Sequence, residues 1–222
     1  MAGNTPSRSF LYTGIACTVA MACCDVILLG VPQSGRAGDI YSFSALAQVS
    51  MTRIQIGASF GLLSSLNICL GYWYLWQMLR PYSTRLVGWM LAAFTFYGVL
   101  GGVFHAGYYF AGAAMHHGDL ALYFRFIHRL QLLAVVAGAG ALIGSLLYAY
   151  IILRLQQYYS KWYAAFNLIV CEGIALTVAY ILPAPVGGYI RPMFINLGTL
   201  LFFITLGLMS KSKTPAEGTG SY

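Results

Sequence analysis

Six long apolar runs, separated by short polar breaks, take up most of this chain, at about 10–31, 54–79, 86–114, 120–153, 162–182 and 193–209. At about 1.5 Å per residue, each can cross roughly 30 Å of hydrocarbon as an α-helix. Barrel strands do not fit, because they alternate polar and apolar residues in segments of about ten. A helix also satisfies its own backbone groups where no water is present. The chain therefore reads as all-α and polytopic, a six-transmembrane-helix bundle in one domain over 1–209, with a flexible polar tail over 210–222.

Composition removes the main competitors. Only 8% of the 222 residues are charged, 59% are hydrophobic, and the mean hydropathy is +0.74. A soluble domain carries roughly 25% charged residues, so too few charges exist here to coat a water-facing surface. An ordinary soluble enzyme and a disordered chain are excluded. The net charge of +7 comes from basic residues standing singly between the runs. That pattern suits lipid headgroups and gives no nucleic-acid surface. The five cysteines lie inside apolar runs with no CxxC spacing, so neither a disulfide framework nor a zinc ribbon is indicated.

Ala20-Met21-Ala22 resembles a signal-peptide cleavage site, but the apolar run continues past it through Leu29. A membrane span is the better reading. The stretch from Pro32 to Arg53 is mixed enough to hold a small interfacial segment. One side of the bundle would carry Arg8, Arg80, Arg85, Arg154, Lys161, Lys211 and Lys213; the other would carry Arg36, Arg53, Arg125, Arg129 and Arg191. This bias favours cytoplasmic termini in a bacterial inner membrane. Asp25, Asp39 and Asp119 then fall toward the outer side.

Three glycine pairs at i, i+4 spacing, Gly57/Gly61, Gly98/Gly102 and Gly140/Gly144, offer smooth helix faces. In lipid, such faces drive close packing. They serve either the bundle itself or, less readily, a homo-oligomer or a partner in a larger membrane complex.

Ionisable groups within a span cost about 2.5–3.5 kcal/mol each on insertion scales, so they are the first functional candidates. Glu172 falls near the middle of the fifth run, Asp25 in the outer half of the first, and His105 in the outer half of the third. Asp25 and Glu172 each follow a cysteine and precede an apolar stretch ending in proline, with Arg53 and Arg191 ahead of the next run. Were this a repeat, Asp25 would pair with Arg53 and Glu172 with Arg191, although Glu172 lies deep for that contact. Tyr109 follows His105 by one turn, and Asn67, Gln131, Asn167 and Asn196 add polar contacts.

All four histidines fall on the third-to-fourth hairpin, where Asp119 stands as an N-cap for the fourth helix. His105, His116 and His128 with Asp119 form a weak metal constellation, which would suit a zinc-dependent lipid hydrolase. Zinc spacing such as HExxH is absent, and His105 and His128 sit at different depths for a shared haem. No cofactor is expected, and loop histidines in water remain the simpler reading.

Six short stretches stand out: Thr52-Arg53-Ile54-Gln55-Ile56-Gly57, Gly71-Tyr72-Trp73-Tyr74, Leu79-Arg80-Pro81, Gly101-Gly102-Val103-Phe104-His105-Ala106, Leu182-Pro183-Ala184-Pro185 and Asn196-Leu197-Gly198. With them the chain resembles a family of bacterial six-helix integral membrane proteins of unknown function. The resemblance implies the architecture and points to Arg53, His105 and Asn196. Membrane ceramidase-like hydrolases carry a late HxxxH on a seventh helix, which this chain lacks. The expected function is a pocket toward the outer side, lined or gated by Asp25, Arg53, His105, Tyr109, Glu172 and Asn196, that binds or moves a small apolar or amphipathic ligand, with proton coupling through Glu172.

Overall fold

The computed structural model describes residues 6–32, 41, 43–183 and 185–211, and these are helical or in turns, with no strand among them. The helices in order are α1 (Arg8–Leu29), α2 (Met51–Leu79), α3 (Thr84–His116), α4 (Leu120–Arg154), α5 (Trp162–Ala165), α6 (Leu168–Ile181), α7 (Val186–Ile190) and α8 (Phe194–Lys211). Short 3-10 segments, Phe43–Ala47 and Arg191–Met193, precede α2 and α8. Arg36, Asp39 and Lys213, together with 212–222 of the expected tail, lie outside the described residues.

Five stretches are long and apolar enough to cross a membrane: α1, α2, α3, α4 and the continuous Val186–Lys211. The run at 162–182 departs from expectation, because it is divided into α5 and the shorter α6. Asn167 stabilises the break from both sides. Its Oδ1 accepts from Val170 N at 3.2 Å, and its Nδ2 donates to Ala164 O at 3.2 Å. Ser145 Oγ on α4 accepts from Ile169 N at 3.2 Å. An interrupted helix in an apolar setting survives where the freed backbone groups find such partners.

Consecutive helices α1 to α4 pack as antiparallel neighbours, and α6 with α8 closes against α1. Glycines set the spacing. A Cβ on Gly57 would lie 2.7 Å from Leu28 on α1, one on Gly98 2.9 Å from Cys69 on α2, and one on Gly144 2.6 Å from the Phe94 ring on α3. Gly61, Gly102 and Gly140 meet His105, Leu62 and Phe96 in the same way. All three pairs therefore face helices of the same chain, where small residues let backbones approach and gain dispersion contact. At the α3–α4 hairpin Gly118 takes φ +75°, a left-handed conformation that glycine adopts without steric cost. Asp119 then caps α4, accepting from Leu122 N at 2.9 Å.

Two apolar clusters fill the bundle. One, around Tyr72, Phe94, Tyr148 and Phe202, lies toward the chain termini. The other, around Leu28, Leu46, Ile54 and Tyr108, lies toward the Gly118 hairpin. The outer surface is also apolar: Val135 is 71% exposed and Ile181 76%. Soluble proteins seldom show such continuous apolar faces.

Candidate functional site

Between the two apolar clusters lies a cavity of about 190 Å³. Asp25, His105, Glu172 and Asn196 all line it. These four residues come from α1, α3, α6 and α8, so the tertiary fold and not local sequence gathers them.

Asp25 is nearly fully buried, one turn before the end of α1. Its Oδ2 accepts from Asn196 Nδ2 at 2.6 Å, and its Oδ1 lies 3.2 Å from His105 Nε2. Gly61 makes this reach possible. The Cγ–Cδ2 edge of the His105 ring rests where a Gly61 side chain would stand. The Asp25 contact falls outside hydrogen-bond geometry, and both His105 ring nitrogens are buried with no hydrogen bond from the chain.

Glu172 faces the same cavity from α6, where Tyr97 Oη donates to its Oε1 at 2.6 Å. Gly198 of α8 is pressed against the Glu172 backbone, and a Cβ there would collide with Glu172 Cα and N. The helix that supplies Asn196 to Asp25 therefore also fixes the position of Glu172 two residues further on.

The walls are mostly aromatic and aliphatic. Tyr41, Phe104 and Tyr108 close the side toward the hairpin, with Phe104 and Tyr108 edge-to-face at 5.1 Å. The 3-10 segment Phe43–Ala47 is held over this end by hydroxyls: Tyr108 donates to Tyr41 O at 2.9 Å and Tyr123 to Phe43 O at 3.2 Å. It is a short helical segment within the stretch from Pro32 to Arg53. On the α4 side, Ala134, Ala137 and Gly138 give a smooth wall. No Lys or Arg lines the cavity among the described residues.

Two expected site residues lie elsewhere. Arg53 turns onto the end of α1, donating through Nε to Ile27 O at 2.8 Å and through Nη2 to Val26 O at 3.1 Å and Gly30 O at 2.9 Å. It satisfies Ile27 O and Gly30 O at the helix end and adds a second donor to Val26 O, which already accepts from Gly30 N, and so does not pair with Asp25. Arg191 does the same for α6, reaching Ala179 O at 3.4 Å and Leu182 O at 3.2 Å instead of Glu172. Tyr109 is exposed and packs on Phe110. The cavity-facing stripe of α3 runs through Tyr97, Gly101, Phe104 and Tyr108, and Tyr109 sits about 100° round the helix from Tyr108.

The histidine hairpin is dispersed. His116 Nε2 contacts Val49 O at 2.8 Å, Asp119 serves as a cap, and His128 is exposed. Among the described residues no three His, Cys, Asp or Glu side chains are grouped to hold a metal ion. Sequence reasoning missed Tyr97, Tyr72 and Tyr108. With 17 tyrosines in the chain, residue type alone could not select these three.

No curated protein and no solved structure matches this chain. A family model spans nearly its whole length, residues 4–213, and the chain belongs to that family of unknown function, DUF6796.

Proposed function

We propose that this chain is a six-span protein of the cell membrane, of bacterial inner-membrane type, whose cavity binds or moves a small apolar or amphipathic ligand. The observation that carries this reading is the juxtaposition of Asp25 and Glu172 in one largely apolar cavity. Each acid costs about 2.5–3.5 kcal/mol to keep within a span, and facing a shared cavity gives that expense a use. Glu172 is the carboxyl through which proton-coupled movement would run.

The sixth span in this reading is α5 with α6, crossing together as a broken helix. Both termini then lie on the cytoplasmic side, and the cavity lies toward the outer side, covered there by Tyr41, Phe104 and Tyr108. The excess of Lys and Arg on the side of the termini supports that orientation.

The test is uptake of small labelled solutes into proteoliposomes under an imposed pH gradient. Glu172→Gln is expected to abolish the gradient-dependent part. Unchanged uptake in that variant overturns the role of Glu172. Absence of any solute binding by the wild-type protein overturns the reading as a whole.

A further inference from the structure

We infer that the ligand of this cavity is a small organic cation, an amine with an aromatic or aliphatic body. The inference rests on the ligand-binding reading above and names its chemistry. Three observations converge on it.

The first is charge. Two acids line the cavity, and no Lys or Arg does so among the described residues. Asp25 already has Asn196 and His105 beside it, whereas Tyr97 is the one hydrogen-bond partner of Glu172 among the described residues. An ionised carboxylate offers about four acceptor positions, so Glu172 has acceptor capacity to spare.

The second is hydrogen-bond capacity. Glu172 lines the cavity, so its spare acceptor positions call for a ligand that donates. An ammonium group supplies up to three N–H donors and the opposite charge.

The third is the wall. Tyr41, Phe104 and Tyr108 present ring faces and edges on one side. Aromatic faces attract cations, the more so when desolvated. The smooth Ala134–Gly138 side leaves room for an apolar body. An anionic ligand would face both acids without a counter-charge, whereas a cation supplies the counter-charge with which Glu172 can ionise.

The experiment is calorimetric titration of the full-length protein in lipid nanodiscs with three probes of one size: 2-phenylethylamine, 2-phenylethanol and phenylacetate. The amine is expected to bind about tenfold or more tightly than the alcohol, with phenylacetate weakest. Glu172→Gln should remove most of the amine's advantage and leave the alcohol's affinity near that of wild type. Should that variant fail to give a monodisperse protein, Tyr97→Phe and the wild-type probe series still decide. Tyr97→Phe keeps the charge and should retain the order amine over alcohol. Equal or tighter binding of the alcohol or of phenylacetate by wild type overturns the cation assignment while leaving a ligand-binding cavity standing. Binding of none of the three overturns both.

Discussion

Helices α1 and α6 each carry one acid, and each stops against an arginine from a later element, Arg53 on the carbonyls of α1 and Arg191 on those of α6. Each is also approached closely by a glycine, Gly57 beside Cys24 and Leu28, and Gly198 against Glu172 itself. Beyond that likeness the two acids differ. Asp25 is buried with a short bond to Asn196 and a contact with His105. Glu172 is half-buried and receives Tyr97 alone among the described residues. The same local construction thus yields one acid built into the bundle and another that lines the cavity with acceptor positions to spare. The Asp25 site should dominate stability, and the Glu172 site should dominate function.

The most direct way to break that contrast is to remove Asp25. Asp25→Ala leaves Asn196 and His105 buried without their partner, and losing one member of a buried polar cluster costs about 3 kcal/mol. Unfolding by increasing SDS in mixed micelles would measure it. A loss no larger than that of Glu172→Gln would mean that Asp25 is not the structural acid.

A somewhat smaller effect is expected at the glycine contacts. Gly198→Ala drives a methyl group into the backbone of α6, whereas Gly61→Ala meets only the movable His105 ring. Overpacking typically costs 1–3 kcal/mol, so Gly198→Ala should lose about 2 kcal/mol in the same assay and Gly61→Ala about 1 kcal/mol. The reverse order would show that His105 is held more rigidly than the α6–α8 contact, and would move the structural centre toward α3.

Arg53→Ala should cost about 1.5 kcal/mol, the lower end for bonds to a charged group, because Ile27 O and Gly30 O lose their donor, while Val26 O keeps the Gly30 N–H and water can reach part of the site. Arg53→Gln should recover a fraction of that. No loss in either variant would remove the cap from the shared construction of the two acid helices.

These elements were unequally legible in the sequence. The long apolar runs, the glycine spacings and the Asp119 cap are local patterns, and local patterns survive in one dimension. The acids and His105 were conspicuous because charge in an apolar run is costly. The Asn196–Asp25 bond joins residues 171 positions apart, and nothing in either helix announces it. The arginines misled for a related reason: proximity in sequence suggested acid–base pairs, but unsatisfied carbonyls at the helix ends lay closer than the acids did. The break in the fifth run depended on Ser145 of another helix as well as on Asn167, so the apolar stretch alone read as continuous.

The smallest stability effect sharpens the comparison most. Hydrogen bonds between membrane helices average about 0.6 kcal/mol in double-mutant cycles. A cycle built from Glu172→Ala and Tyr97→Phe should return a coupling of about that size, since the half-buried carboxyl exchanges one donor for water. The corresponding cycle from Asp25→Ala and Asn196→Ala should return more, about 1–2 kcal/mol, because both partners are nearly fully buried and little solvent reaches them. If the two couplings come out equal, Glu172 is fixed in the fold as firmly as Asp25, and its hydrogen bond to Tyr97 is structural. If they separate while uptake is lost in Glu172→Gln and retained in Tyr97→Phe, the charge of Glu172, and not its place in the packing, is what the ligand meets.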